Sequence, residues 1–292
     1  MKVMIFTPTW ETESGTAMRP ETEASVREQV FDGELVWEIG LHNPFPGQSH
    51  RNVLAQYERG REVFLESDAE AMLLYEHDMT MPPNAVALLA EDIRNGAAVA
   101  YGVYMLRHGS WVLNAFEYIG GRNLGESLSI HPEKLSKARR DNRVRVSGAG
   151  FGCTMVRRDV VEAFPFHKGD ENQWAPDVPF ASDVLQAGLV STARFDVLCG
   201  HYDGHRWLRP FGGTMDDKVR VRVLQSVNVY DGSTLIRLEA GTTQEVRPQF
   251  LDDWMRVGYV VLVEDEPGPE MAVNEPEEKA VRPRGKKRKG AL

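Results

Sequence analysis

Over its first two thirds the chain alternates short apolar runs with segments of helical period. Residues 3–7 are continuously apolar up to Thr7 and stop at Pro8, the pattern of a strand buried on both faces. Residues 20–30 begin with Pro20 and carry Glu21 and Glu23 in the first turn, which predicts a helix. Residues 34–40 alternate enough for a second strand. After a loop of Asn43, Pro44, Phe45, Pro46 and Gly47, Ser49 is placed to cap a helix reaching about residue 65. That helix has Val53, Leu54, Tyr57 and Phe64 on one face. A third strand runs through Leu73, Leu74 and Tyr75. A helix over 83–94 follows, with Val86, Leu88, Leu89 and Ile93 inward, and then a strand over 97–104.

This β-α-β-α-β-α-β order predicts an α/β fold. Its sheet is mainly parallel and Rossmann-like, with helices on both faces. Beyond it the pattern is more mixed. Strands are expected at 111–118, 153–156 and 190–199, and helices at 131–140, from Asp159 to about 164, and at 180–187. Ser147 to Gly152 reads as a flexible turn. After residue 218 short strands (219–229, 234–239, 259–263) and a helix near 248–257 suggest a small α+β appendix. From 265 on, Pro, Glu, Lys and Arg dominate, which reads as a disordered tail. The expected division is therefore 1–218, 219–264 and 265–292.

Composition sharpens this picture. The 292 residues are 42% hydrophobic and 26% charged, ordinary for a globular protein. Two cysteines, Cys153 and Cys199, have no metal-type spacing and read as core residues of a protein in a reducing cytosol. No stretch approaches the roughly 18 apolar residues of a membrane helix, and the N-terminal run is too short for a signal peptide. The expected location is cytoplasmic. A net charge of −9 argues against bulk attraction of polyanions, but residues 282–289 hold Arg282, Arg284, Lys286, Lys287, Arg288 and Lys289.

The candidate chemistry lies where the third strand ends. Glu76 and Asp78 are one residue apart there, and strand alternation sends both to one side of the sheet's carboxyl edge. Two carboxylates side by side repel unless a cation or proton lies between them. Hard oxygen ligands suit Mg2+ or Mn2+, which fills its shell with substrate phosphates. Ligands of such sheets bind at the strands' carboxyl ends. The site is thus expected to be a metal-assisted one for a phosphate-bearing substrate. Read by itself, an acidic pair at a strand end is more often a solvated turn than a metal site.

Four motifs, in order, resemble those of the GT-A fold glycosyltransferases, in particular the family-2-like group, over residues 1 to about 205. They are the strand ending in Thr7, Pro8 and Thr9; His50, Arg51 and Asn52 at a helix start; Glu76, His77 and Asp78, like an Asp-x-Asp metal motif; and the glycine turn from Gly148 to the paired arginines Arg157 and Arg158. Ser182 and Asp183 fall where the family often has Glu-Asp, and Gly200 and His201 where many members have a late metal-binding histidine. Glu76 and Ser182 depart from the family pattern.

The resemblance implies a transferase that moves a sugar from a nucleotide-sugar donor to an acceptor hydroxyl with Mn2+ or Mg2+. Asp78 and His201, with Glu76, would hold the metal. Thr7, Pro8 and Thr9 would border the base, and Arg51 and Asn52 would sit at the diphosphate. Asp183 would act as general base, with Asp177 and Asp203 in reserve. Gly148, Ala149 and Gly150 would let the backbone approach the sugar, and Trp174, Trp207 and Trp111 are candidates to stack on it. The basic tail makes nucleic acid, such as a hydroxylated base, one candidate acceptor; the appendix also resembles small add-on domains of bacteriophage proteins. Polysaccharide, protein and lipid head groups stay open. Two rivals remain: a nucleotidyltransferase, although the loop after Thr9 has only Gly15 and no nearby lysine, and a catalytically silent binding module.

Overall fold

A computed structural model describes residues 1–13, 15–106, 112–169, 175–210, 219–231, 234–246 and 258–262. The chain divides into two compact units, Met1–Asp217 with Gly232–Thr234, and Lys218–Asp231 with Leu235–Leu292.

In the first unit the elements run β1 (Lys2–Pro8), β2 (Glu11–Thr12), β3 (Gly15–Thr16), α1 (Pro20–Arg27), β4 (Glu34–Gly40), α2 (Ser49–Glu66), β5 (Ala71–Tyr75), β6 (Met79–Thr80), α3 (Ala85–Arg94) and β7 (Val99–Val103). They continue with β8 (Phe116–Glu117), α4 (Pro132–Asp141), β9 (Arg143–Gly148), β10 (Cys153–Arg157), α5 (Arg158–Ala163), α6 (Asp177–Gln186), β11 (Ser191–Leu198), β12 (Gly200–Tyr202) and β13 (Trp207–Leu208). The central sheet has eight strands in the order β4-β1-β5-β10-β7-β11-β9-β8. β1 lies parallel to both β4 and β5, and β7 parallel to β11. β10 and β9 run the other way. The sheet is mixed and mostly parallel, consistent with the mainly parallel α/β sheet expected from the first half of the chain.

Alternation along β1 decides the layers. Met4 and Phe6 pack on one face with Tyr57 and Phe64 of α2, Val160 of α5 and Phe180 of α6. Val3 and Ile5 pack on the other with Val26 of α1 and Leu89 and Ile93 of α3. Burying both faces explains why the central strands read as continuous apolar runs. Arginines tie α2 to α5. Arg158 donates to the carbonyls of Leu65, Ser67 and Ala69 at the end of α2 (3.0, 3.0 and 2.8 Å), where a helix leaves acceptors unfilled. Arg61 returns the arrangement to Val161 and Glu162 of α5 (2.8 and 3.0 Å).

Four expectations change. Ser49 is the first residue of α2 rather than its cap, and no side chain caps that end. Asn52 instead braces the preceding loop by exchanging two bonds of 2.9 Å with the Phe45 main chain. Only Phe116–Glu117 of the expected 111–118 strand pairs with the sheet among the described residues. Helix α6 begins at Asp177, because Pro179 is tolerated within a first turn, where N–H groups lack helical partners anyway. Finally, Gly200 and His201 belong to a strand of their own, β12, which pairs antiparallel with β6.

In the second unit β17 (Thr243–Val246) and β18 (Val260–Leu262) flank β14 (Val219–Val223), while β15 (Val227–Asp231) pairs with β16 (Thr234–Leu238). The expected helix near 248–257 and the basic tail lie outside the described residues. Among the described residues no helix is long and apolar enough to cross a membrane.

Candidate active site

Three strand ends meet at the carboxyl edge of the sheet: those of β1, β5 and β7. β5 stops at Tyr75, and Glu76 to Met79 forms a turn closed by the Met79 N–H on the Glu76 carbonyl (3.2 Å). The two acids therefore converge through this turn and not through the strand alternation expected of them. The turn leads into β6, where His201 stands opposite Met79 and Gly200 opposite Thr80. That pairing needs glycine at 200, since a Cβ there would lie 2.4 Å from Thr80 Oγ1. The result is a cluster of Glu76, Asp78 and His201 whose ligand-capable atoms all lie within 4.8 Å of one another.

Neighbours fix the orientation of each member. His201 Nδ1 lies 2.8 Å from the Met105 carbonyl. A carbonyl can only accept, so Nδ1 carries the proton and the ring lone pair is on Nε2, the usual arrangement of a metal-ligating histidine. Tyr104 packs against the ring edge-on at 5.2 Å. Glu76 Oε1 accepts from the Tyr57 hydroxyl (3.0 Å). Burial, and next the Glu76 charge, push Tyr57 well above the usual phenol range, so it stays a donor. The Glu76 N–H donates to the Gly152 carbonyl (3.1 Å), and the Asp78 carbonyl accepts from the Tyr202 N–H (2.9 Å). Asp78 itself is buried. Two carboxylates and a neutral imidazole suit a divalent cation of intermediate hardness; Mg2+ and Mn2+ both take the oxygens, and the nitrogen favours Mn2+.

A cleft of about 850 Å³ opens beside this cluster, lined among others by Pro8, Thr9, Trp10, Asn52, Tyr57, Glu76 and His77. Its wall is held by hydrogen bonds of the Gln56 amide. Gln56 accepts from the Thr9 N–H (3.2 Å) and donates to the Thr9 carbonyl (2.5 Å) and to Asn43 Oδ1 (3.0 Å). Trp10 stands half-exposed at the cleft, edge-on to His77 at 4.7 Å.

The other expected site residues are placed as follows. Thr7 is fully buried and its hydroxyl accepts from Trp37 Nε1 (3.0 Å), so it faces the core and not the cleft. The Arg51 guanidinium lies 3.9 Å over the Phe45 ring and bonds Gln48 Oε1 (3.0 Å). Gly148, Ala149 and Gly150 are buried. A Cβ at Gly148 would meet Ala181 at 2.5 Å, and one at Gly150 would meet the Tyr104 hydroxyl at 2.4 Å. These glycines let α6 and Tyr104 pack closely, and the turn after them supplies the carbonyl that holds Glu76. Asp183 pairs with His167 Nε2 (2.8 Å), which raises the histidine's pKa. Asp203 accepts from the N–H groups of His205 and Arg206 (both 2.9 Å) in a local turn. Trp207 packs edge-on against Tyr202 at 5.4 Å. Trp174 and Trp111 lie outside the described residues. Cys153 and Cys199 are buried free thiols.

Asp177 takes a more central position than a reserve. It opens α6, and its Oδ2 lies 3.4 Å from where a Cβ of Gly150 would be. Its carboxyl is pushed up to about 6, chiefly by burial and further by the Glu76 charge. The sequence signal was the Pro176, Asp177, Pro179 pattern, a helix start that periodicity alone moves to Phe180. Asp183, six residues on, is about 9 Å along the helix and on another of its faces.

No family model and no curated protein matches the chain. Among solved structures, A197 from STIV is similar with a TM-score of 0.46 and 16% identity, over 72% of this chain and 94% of that one. S. aureus TarS, residues 1–349 in complex with UDP, is similar with a TM-score of 0.44 and 13% identity; the match covers 67% of this chain and 58% of TarS. A mycobacterial protein is similar with a TM-score of 0.36 and 13% identity, over 86% and 87% of the two chains. Likeness at this level carries no functional conclusion, which rests on the geometry above.

Proposed function

We propose that the chain is a metal-dependent glycosyltransferase that moves a sugar from a nucleoside-diphosphate donor to an acceptor hydroxyl. The observation that carries this reading is the convergence of Glu76, Asp78 and His201 within 4.8 Å, next to a cleft of nucleotide size whose wall includes Glu76 and His77. Asp78 and His201 Nε2 would hold Mn2+ or Mg2+, with Glu76 completing the set or turning to the donor's ribose. The metal, when bound, would supply Lewis-acid stabilisation of the departing diphosphate.

The remaining roles fall to the chain's own groups. Pro8, Thr9 and Trp10 border the nucleoside, and the Gln56 bonds hold that wall still. Arg51 and Asn52 hold the loop that forms the cleft's other side. Asp177 takes the proton from the acceptor hydroxyl as general base: its carboxyl, at about 6, is ionised at neutral pH yet basic enough to accept. Asp183, paired with His167, serves to keep α6 and the preceding loop together. The basic residues 282–289 make nucleic acid the acceptor to try first.

Thermal shift with UDP, GDP, ADP, CDP and dTDP, with and without Mn2+, tests the donor half of this reading. Stabilisation by at least one of them that requires Mn2+ is the expected result. No response to any of them would favour a silent scaffold.

A further inference from the structure

Arg19 is held next to the turn that bears the acids. It precedes α1 at the N-cap position, and its N–H donates to the His77 carbonyl (3.0 Å). Its guanidinium carbon lies 3.6 Å from the centre of the Tyr202 ring. Tyr202 in turn donates its N–H to the Asp78 carbonyl (2.9 Å). Arg19 is thus fastened twice to the turn that bears the acids, by its main chain at His77 and by its side chain through Tyr202 beside Asp78.

What it lacks is an acid. Arg27, Arg157, Arg158 and Arg194 each hold a carboxylate within 3.0 Å. Among the described residues the Arg19 guanidinium makes no ion pair and no side-chain hydrogen bond, although the chain's net charge is −9. Stacking on Tyr202 fixes the plane of the group and leaves its edge N–H donors for another partner. A half-buried guanidinium, immobilised in advance beside a carboxylate cluster and given no acid of its own, has the properties of an anion receptor. Planar, forked donors of this kind match phosphate oxygens.

We infer that Arg19 binds the terminal phosphate of the nucleoside diphosphate and so distinguishes a diphosphate from a monophosphate. This rests on the transferase reading above and adds a residue to it. The cleft would hold the nucleoside, and Arg19 would hold the far end of the diphosphate from the Tyr202 side of the turn.

The test is titration calorimetry on the full chain with Mn2+, using whichever diphosphate the wild type binds and the matching monophosphate. R19M should weaken the diphosphate by about 10- to 100-fold, the usual cost of a hydrogen bond to a charged group. It should change the monophosphate by less than about threefold. R19K, which keeps the charge but not the fork, should fall between, and Y202L, which removes the platform, should lose part of the diphosphate preference. Thermal melts guard against misfolding: a purely structural stack would lower the melting temperature of R19M while leaving the ratio of the two affinities at its wild-type value. That result would overturn the role of Arg19 and leave the transferase reading intact. A wild type that binds no nucleoside diphosphate would sink both.

Discussion

The substitution Gly200→Ala isolates the contact that delivers His201 to the acids. A Cβ at 200 would lie 2.4 Å from Thr80 Oγ1, whereas ordinary contact begins at 3.4 Å, so β12 and β6 must separate by about 1 Å or Thr80 must turn. The next atoms, Trp207 Cε3 at 3.4 Å and Arg209 Cγ at 3.7 Å, can accept the methyl. Overpacking of this kind costs about 1–3 kcal/mol of stability. The larger effect should be on the metal. Coordination tolerates about 0.2 Å, and a shift of about 1 Å in the strand carrying His201 exceeds that several-fold. Mn2+ affinity, read from the free-Mn2+ signal in electron paramagnetic resonance, should drop about 10- to 100-fold in G200A. The double variant G200A/T80A removes the clashing oxygen and should return to within about threefold of wild type. Wild-type Mn2+ affinity in folded G200A, or a double variant no better than the single one, would refute the idea that this close approach positions the histidine.

D177N should abolish transfer yet stabilise the fold. A carboxyl raised from its ordinary value to about 6 binds its proton more tightly in the folded protein, so it costs stability as pH climbs through that window and above it. D177N should therefore melt higher than wild type near pH 7.5, by about 1–2 kcal/mol after allowing for its partly open face, and the gap should close near pH 4; equal melting curves at both pH values would refute the burial of that charge. D92A attacks the far side of the sheet. Asp92 is fully buried and bonds Arg194 (2.9 Å), Arg143 (3.2 Å) and Thr192 (2.5 Å). Its loss should cost about 3 kcal/mol in urea unfolding, the low end for a broken buried pair because Arg194 keeps Asp196 and Glu91; a change under about 1 kcal/mol would show that the network is not a coupled one.

The layering of the sheet was legible because β1, β5 and β7 are buried on both faces and therefore read as unbroken apolar runs. The elements that shape the site were less so, for local reasons. Glu76 and Asp78 meet through a four-residue turn, and turn geometry leaves no periodic trace. His201 depends on a three-residue strand pairing with two residues of β6, a long-range contact that Gly200 permits but does not announce. Asp177 stands only in reserve in the sequence because periodicity starts the helix at Phe180, whereas α6 begins at Asp177 with Pro179 inside its first turn. The glycines at 148 and 150, expected to let the backbone approach the sugar, admit Ala181 and the Tyr104 hydroxyl. Arg51 was visible as a charge at a helix start, but its stacking on Phe45 is decided by how the 43–48 loop folds back. The stacking of Arg19 on Tyr202 joins positions 183 residues apart and has no local signature at all.

The claim on which all of this turns is that Glu76, Asp78 and His201 grip one divalent ion. Calorimetric titration of Mn2+ into wild type, D78A and H201A, each verified as folded, tests it directly. One Mn2+ per chain is expected for the wild type and no measurable binding at the same concentrations for D78A, with H201A weakened. One Mn2+ bound equally well by all three proteins would contradict it.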